Sequence, residues 1–80
     1  MKARVQVTLK SGVLDPQGKA IEQALHQLGF AEVAGVRQGK LIEIELADDA
    51  DERARDRVRA MCEKLLANTV IEDYRVEIDG

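Results

Sequence analysis

The chain has 80 residues, a formal net charge of −3, one cysteine, one tyrosine, one phenylalanine and no tryptophan. That length fits one domain, residues 1–80, with an expected radius of gyration of about 12 Å. A chain so short buries only about 60% of the surface its unfolded form exposes. The core must be aliphatic, stability should be modest, and assembly with other chains would add to it. An acidic balance excludes the basic stripe that supplies most nucleic-acid affinity, and it is ill suited to an anionic membrane surface. No apolar run approaches the ~20 residues of a transmembrane helix. Met1-Lys2 leads directly into a strand pattern, which leaves no room for a signal peptide. A single cysteine cannot build an intrachain disulfide framework. These features point to the cytoplasm. A pocket for a large ligand is not expected, since such sites need a sizeable, aromatic-rich cavity.

Val5, Val7 and Leu9 alternate with Arg4, Gln6 and Thr8, the period-two pattern of a half-buried strand. The segment Lys10-Ser11-Gly12-Val13-Leu14-Asp15-Pro16-Gln17-Gly18 then reads as a tight strand-to-helix joint. Asp15 can accept from the free N–H groups of the first helical turn. Pro16 suits the first helical position, where its missing N–H costs nothing. The helix runs from about Pro16 to Leu28, with Ala20, Ile21, Ala24, Leu25 and Leu28 on one stripe. Gly29 sits where a left-handed residue closes a helix, and Phe30 can fold back onto Leu25 as in a Schellman cap.

Residues 33–46 fit either one long bent strand or a hairpin. The hairpin, with a loop at Gln38-Gly39-Lys40, is preferred: it places Val36 opposite Ile42 and Ala34 opposite Ile44. A second helix opens with Asp48, Asp49, Asp51 and Glu52 and continues with Arg53, Arg55, Arg57, Arg59 and Lys64, the order a helix dipole prefers. Its expected buried stripe is Ala54, Val58, Met61, Cys62 and Leu65. Asp51–Arg55 and Arg59–Glu63 are spaced as surface pairs, and Asn68 suits a left-handed C-terminal position. A last strand carries Val70, Tyr74, Val76 and Ile78 on one face, interrupted by Glu72, and Asp73, Arg75 and Glu77 on the other. The expected fold is therefore α+β: a ferredoxin-like βαββαβ two-layer sandwich, with an antiparallel sheet and two helices on one face.

No reactive constellation emerges. His26 lies off the apolar stripe and reads as a solvated helix histidine. Cys62 lies on an apolar stripe, where a free thiol acts as a small hydrophobe rather than a nucleophile. One thiol also excludes the paired-cysteine metal site. The run Asp48–Glu52 is explained by capping and dipole effects, so no metal site is read from it. Lys10-Ser11-Gly12 precedes a helix N-terminus, but Asp15 should occupy those N–H groups and no phosphate-binding glycine pattern is present. Nothing meets the combined test of nucleophile, base, positioning group and pocket. On its residues alone the chain is a binding or structural module.

Several segments resemble the PurS family, the small subunit of the three-part phosphoribosylformylglycinamidine synthase of purine biosynthesis. They are Val5–Leu9 with the Lys10–Gly18 joint, Ala24-Leu25 with Leu28-Gly29-Phe30, and Val36-Arg37-Gln38-Gly39-Lys40 with Ile42-Glu43. Cys62-Glu63-Lys64-Leu65-Leu66-Ala67-Asn68 and Ile71-Glu72-Asp73-Tyr74 complete the set. The resemblance implies a non-catalytic homo-oligomeric subunit of an ATP- and glutamine-dependent C–N ligase. It would join a glutaminase subunit to a synthetase subunit, so that ammonia reaches formylglycinamide ribonucleotide. ATP, Mg and glutamine would then be used by the partners, with no cofactor in this chain. Candidate partner contacts, from exposure and family pattern, are Lys10 and Asp15 at the joint, Arg37 and Lys40 at the loop tip, and Glu72 and Tyr74 on the last strand. The alternative is a small-molecule-binding regulatory domain of ACT-type architecture. A ferredoxin-like phosphatase lacks its anion loop here, and an RNA-binding module lacks stacking aromatics.

Overall fold

A computed structural model describes residues 1–47 and 52–79. Strand β1 spans Lys2–Leu9, helix α1 Pro16–Gln27, strand β2 Gly39–Glu45, helix α2 Ala54–Met61 and strand β3 Glu72–Asp79. A π-helical turn, Cys62–Leu66, continues α2. The sheet is antiparallel in the order β2-β1-β3. β1 pairs on one side with β2, from Lys2 opposite Glu45 to Thr8 opposite Gly39. On the other side it pairs with β3, from Lys2 opposite Asp79 to Leu9 opposite Glu72. The α+β class, the antiparallel sheet and the two helices are as expected.

The side-chain alternation in β1 sets the core. Ala3, Val5 and Val7 are buried, and Val58 of α2 and Cys62 of the π turn cover them. Val76 and Ala67 close that cluster, and Ile42, Ile44, Leu46, Tyr74 and Ile78 pack around it half-buried. The opposite face is charged in both signs, as the alternation requires. Lys2 pairs with Glu43 at 3.0 Å, Arg4 with Asp79 at 2.6 Å and Arg75 with Glu77 at 3.2 Å.

Three local expectations are corrected. Segment 33–46 is not a hairpin: one strand begins at Gly39, and residues 33–38 are outside the sheet. Gly39 is therefore the entry to β2 rather than a loop tip. A side chain there would meet the Val7 carbonyl at 2.5 Å, so a glycine is what lets β2 close on β1. Second, Leu65 is not in the buried stripe but is 82% exposed, and Leu66 packs toward the core instead. The cause is the π turn: the Ala67 amide bonds the Cys62 carbonyl at 3.0 Å, an i→i+5 closure. The extra residue per turn rotates the stripe by one position. Third, Asn68 is not left-handed, because the described residues with positive φ are all glycines. It organises a loop instead: its side-chain oxygen accepts from the Val70 amide at 3.2 Å, and its carbonyl from those of Ile71 and Glu72. The Asp51–Arg55 pair and most of the Asp48–Glu52 run lie outside the described residues.

The largest difference concerns α1. Its caps form as expected, but its seat on the sheet does not. Asp15 Oδ1 accepts from the Gly18 amide at 3.0 Å. The Phe30 amide reaches the Leu25 carbonyl at 3.0 Å and that of Gly29 reaches His26 at 3.1 Å. With Gly29 at φ 102°, this is the Schellman arrangement. Yet α1 makes at most marginal contact with the sheet. It projects past the end of β1 as an arm, and residues 33–38 return along its side. The radius of gyration is consequently 16.1 Å, with extents of 50 × 25 × 14 Å.

Candidate functional site

The joint between arm and sheet gathers five of the six residues singled out from the sequence. β1 ends at Leu9, and the Lys10 amide donates to the Ile71 carbonyl at 2.8 Å, which anchors the joint to the approach of β3. A turn then closes through the Val13 amide and the Lys10 carbonyl at 3.1 Å, with Gly12 at φ 88° inside it. Positive φ at that place in a turn is what glycine supplies. Asp15 follows and serves two segments together: besides capping α1, its Oδ2 accepts from the Gln38 amide at 2.8 Å. The Arg37 guanidinium donates to the Leu9 carbonyl. The only two chain crossings into the arm are thus tied to each other.

Two open depressions flank these ties. One, of about 600 Å³, is bordered by Lys10, Asp15 and Arg37, with Leu14, Lys19 and Val36 beside them. The other, of about 360 Å³, brings Asp15, Lys40 and Glu72 together. Leu14 and Lys19 were not among the expected contacts. Leu14 is 88% exposed, and an apolar residue between a turn and a helix cap is a signal that could have marked it.

Electrostatics at the joint follow from these bonds. The amides of Gln38 and then Gly18 hold the Asp15 carboxyl below the usual carboxylate range, with a small contribution from Arg37. Glu72 and Tyr74 are accounted for inside the chain. Glu72 accepts from the Asn68 amide at 2.7 Å and braces the loop before β3. Tyr74 lies opposite Val7, half-buried, away from the joint. A hydrogen bond to Glu63, reinforced by burial, raises its phenol. Burial likewise pushes the Cys62 thiol up, with the nearby Glu63 charge adding to it. His26 is exposed but not idle: its Nε2 donates to the Val33 carbonyl at 2.7 Å, which ties the return segment to α1.

Among the described residues no group of three or more His, Cys, Asp or Glu side chains is placed to hold a metal. None of the described helices is long and apolar enough to cross a membrane. What the fold offers is contact surface: a projecting arm, two open sheet edges and a polar joint with an exposed leucine. These are the features of an interaction module. A family model described as phosphoribosylformylglycinamidine (FGAM) synthase, PurS, matches residues 2–80. The chain is 51% identical over 78 residues to the Bacillus subtilis phosphoribosylformylglycinamidine synthase subunit PurS, covering 98% of this chain and 92% of that one. Its fold matches the solved B. subtilis PurS structure with a TM-score of 0.84, over 99% and 98% of the two chains. The PurS structure from Methanocaldococcus jannaschii, described as one of the subunits of formylglycinamide ribonucleotide amidotransferase, matches at 0.86 and 44% identity over 98% and 94%. A chain of the Thermotoga maritima PurLQS structure matches at 0.84 and 37% over 95% and 93%. The chain belongs to the PurS family of FGAM synthase subunits.

Proposed function

We propose that this chain is the small, non-catalytic subunit of an FGAM synthase in purine biosynthesis. It joins the glutaminase and synthetase subunits, so that ammonia released from glutamine reaches formylglycinamide ribonucleotide. The observation that carries this reading is the match to PurS subunits over almost the whole chain, including a chain of a PurLQS structure. The architecture supports it, since the conspicuous features are surfaces rather than a reactive cluster. ATP, Mg and glutamine are then handled by the partner subunits, and the chain works in the cytoplasm as a homo-oligomer. The open shape of both depressions gives the regulatory, ACT-type alternative no enclosed ligand site.

Lys10 and Arg37 with Leu14 beside them, and Lys40 in the neighbouring depression, form the surface we assign to a partner subunit. Asp15 holds that surface in shape rather than touching the partner. Reconstitution tests the reading. Omitting this chain should abolish glutamine-dependent synthesis and leave ammonia-dependent synthesis largely intact. Unchanged glutamine-dependent activity without it would refute the bridging role. Lys10→Glu with Lys40→Glu should weaken assembly with the two larger subunits, read by co-elution, while the isolated chain keeps its helical circular dichroism.

A further inference from the structure

The most exposed large apolar side chains among the described residues are Leu14 at 88%, Leu65 at 82% and Val70 at 81%. Far apart in sequence, they share one end of the sheet, where β1 stops, β3 starts and the π turn ends α2. The bond from the Lys10 amide to the Ile71 carbonyl, 2.8 Å, sets the joint that carries Leu14 against the loop that carries Val70. The backbone holds these side chains outward. The closure of the Ala67 amide on the Cys62 carbonyl turns Leu65 away from the core. Asn68 fixes the loop by accepting from the amides of Val70, Ile71 and Glu72. Single exposed aliphatics are ordinary, but several gathered at one place mark a contact surface, and π turns recur at functional sites.

Charge is distributed unevenly along the same sheet. At the opposite end, Lys2 is matched with Glu43 and Arg4 with Asp79. At this end Lys10, Arg37 and Lys40 make no ion pair among the described residues. The carboxylates that border their depressions, Asp15 and Glu72, direct oxygens to backbone amides instead. A chain with a net charge of −3 thus keeps unmatched cations beside its most exposed aliphatics.

We propose that this end of the sheet receives a segment of one of the larger subunits in which apolar side chains are flanked by Asp or Glu carboxylates. Leu14, Leu65 and Val70 take the apolar side chains, and Lys10, Arg37 and Lys40 take the carboxylates. This rests on the subunit reading above; it extends that surface across the joint to the loop before β3 and names the chemistry it selects. A phosphate-bearing ligand would use the cations and leave the aliphatics in water. A purely apolar partner would do the reverse. Only a segment with both characters uses the whole surface, and its carboxylates would also steer the encounter.

The test combines binding with chemical coupling. Leu65→Ser with Val70→Ser should lower the affinity for the larger subunits at least about tenfold, as truncation of interface anchors does. Far-UV circular dichroism of the isolated chain should be retained, since both side chains are exposed. Lys10→Glu with Lys40→Glu should weaken binding and flatten its dependence on salt. In the assembled, unaltered complex, a zero-length carbodiimide should couple Lys10 or Lys40 to an Asp or Glu of a larger subunit. If the serine variant does not fold, the coupling decides by itself. Full affinity in the serine variant, tighter binding after the lysine changes, or coupling only to a second copy of this chain would each overturn the proposal. The subunit reading would survive any of these, provided that omitting the chain still abolishes glutamine-dependent synthesis. Unchanged synthesis on omission would overturn both.

Discussion

Asp15 and Gly18 act as one device. The carboxylate approaches so closely that a side chain at position 18 would meet Asp15 Oδ2 at 2.6 Å and the Val36 carbonyl at 2.5 Å. Alanine normally improves a helix interior by about 0.5–1 kcal/mol over glycine. Here Gly18→Ala should reverse that sign and destabilise by about 1–3 kcal/mol through overpacking, measured by urea unfolding. Asp15→Asn should remove the pH-dependent part of the joint's stability. The folded carboxyl titrates below its usual value, so its contribution is full above the unfolded carboxylate pKa. It is lost as pH falls through the depressed folded value. The stabilities of the two forms should therefore differ at neutral pH and converge as pH falls through the carboxylate range. Tyr74 gives the opposite sign: Glu63 stabilises the neutral phenol, so ionisation is shifted upward. Glu63→Gln should bring the phenol's absorbance titration back toward that of free tyrosine.

The π turn decides which leucine matters in the second helix. Leu66→Ala should cost on the order of 1–2 kcal/mol, near the low end for core truncation. Leu65→Ala should stay within about 0.5 kcal/mol, as exposed sites do. Equal losses in chemical denaturation would contradict the rotated stripe. A regular 3.6-residue count from Val58 picks Leu65, and nothing in Cys62–Leu66 advertises an i→i+5 closure, so this was not legible in the sequence. Both caps of α1 were legible, because Asp15-Pro16 and Gly29-Phe30 act within one turn of chain. The apolar side of α1 was legible too, but amphipathicity says only that a face needs covering. It does not say that the cover lies on the chain's own sheet. Segment 33–38 misled for a related reason. Its alternation is that of a strand, yet it pairs with no strand among the described residues. At the candidate site, the basic residues were found from their exposure. The tie from Asp15 to Gln38 links positions far apart in sequence and could be seen only in the fold.

Across the whole molecule, the single chain is a two-layer body at one end and an uncovered arm at the other. That division explains how the residues can be consistent with a ferredoxin-like pattern while one chain leaves its last places empty. It also separates two kinds of substitution. Core changes such as Val58→Ala should lower stability by about 2 kcal/mol, while arm changes should act on assembly. Thermal unfolding followed at several protein concentrations would distinguish them, since only the assembly contribution depends on concentration.

β1 has no neighbour close to it in sequence: its ladders run from Thr8–Gly39 to Lys2–Asp79. Every rung of the sheet therefore closes a long loop before it is rewarded, which slows folding toward the millisecond-to-second range of β-rich domains. Until that happens a nascent copy consists of two local helices and three unpaired strands. An encounter between two such copies could not yet join finished surfaces. The sheet must zip first, and the final step of maturation should appear in stopped-flow refolding as a slower phase whose rate scales with protein concentration.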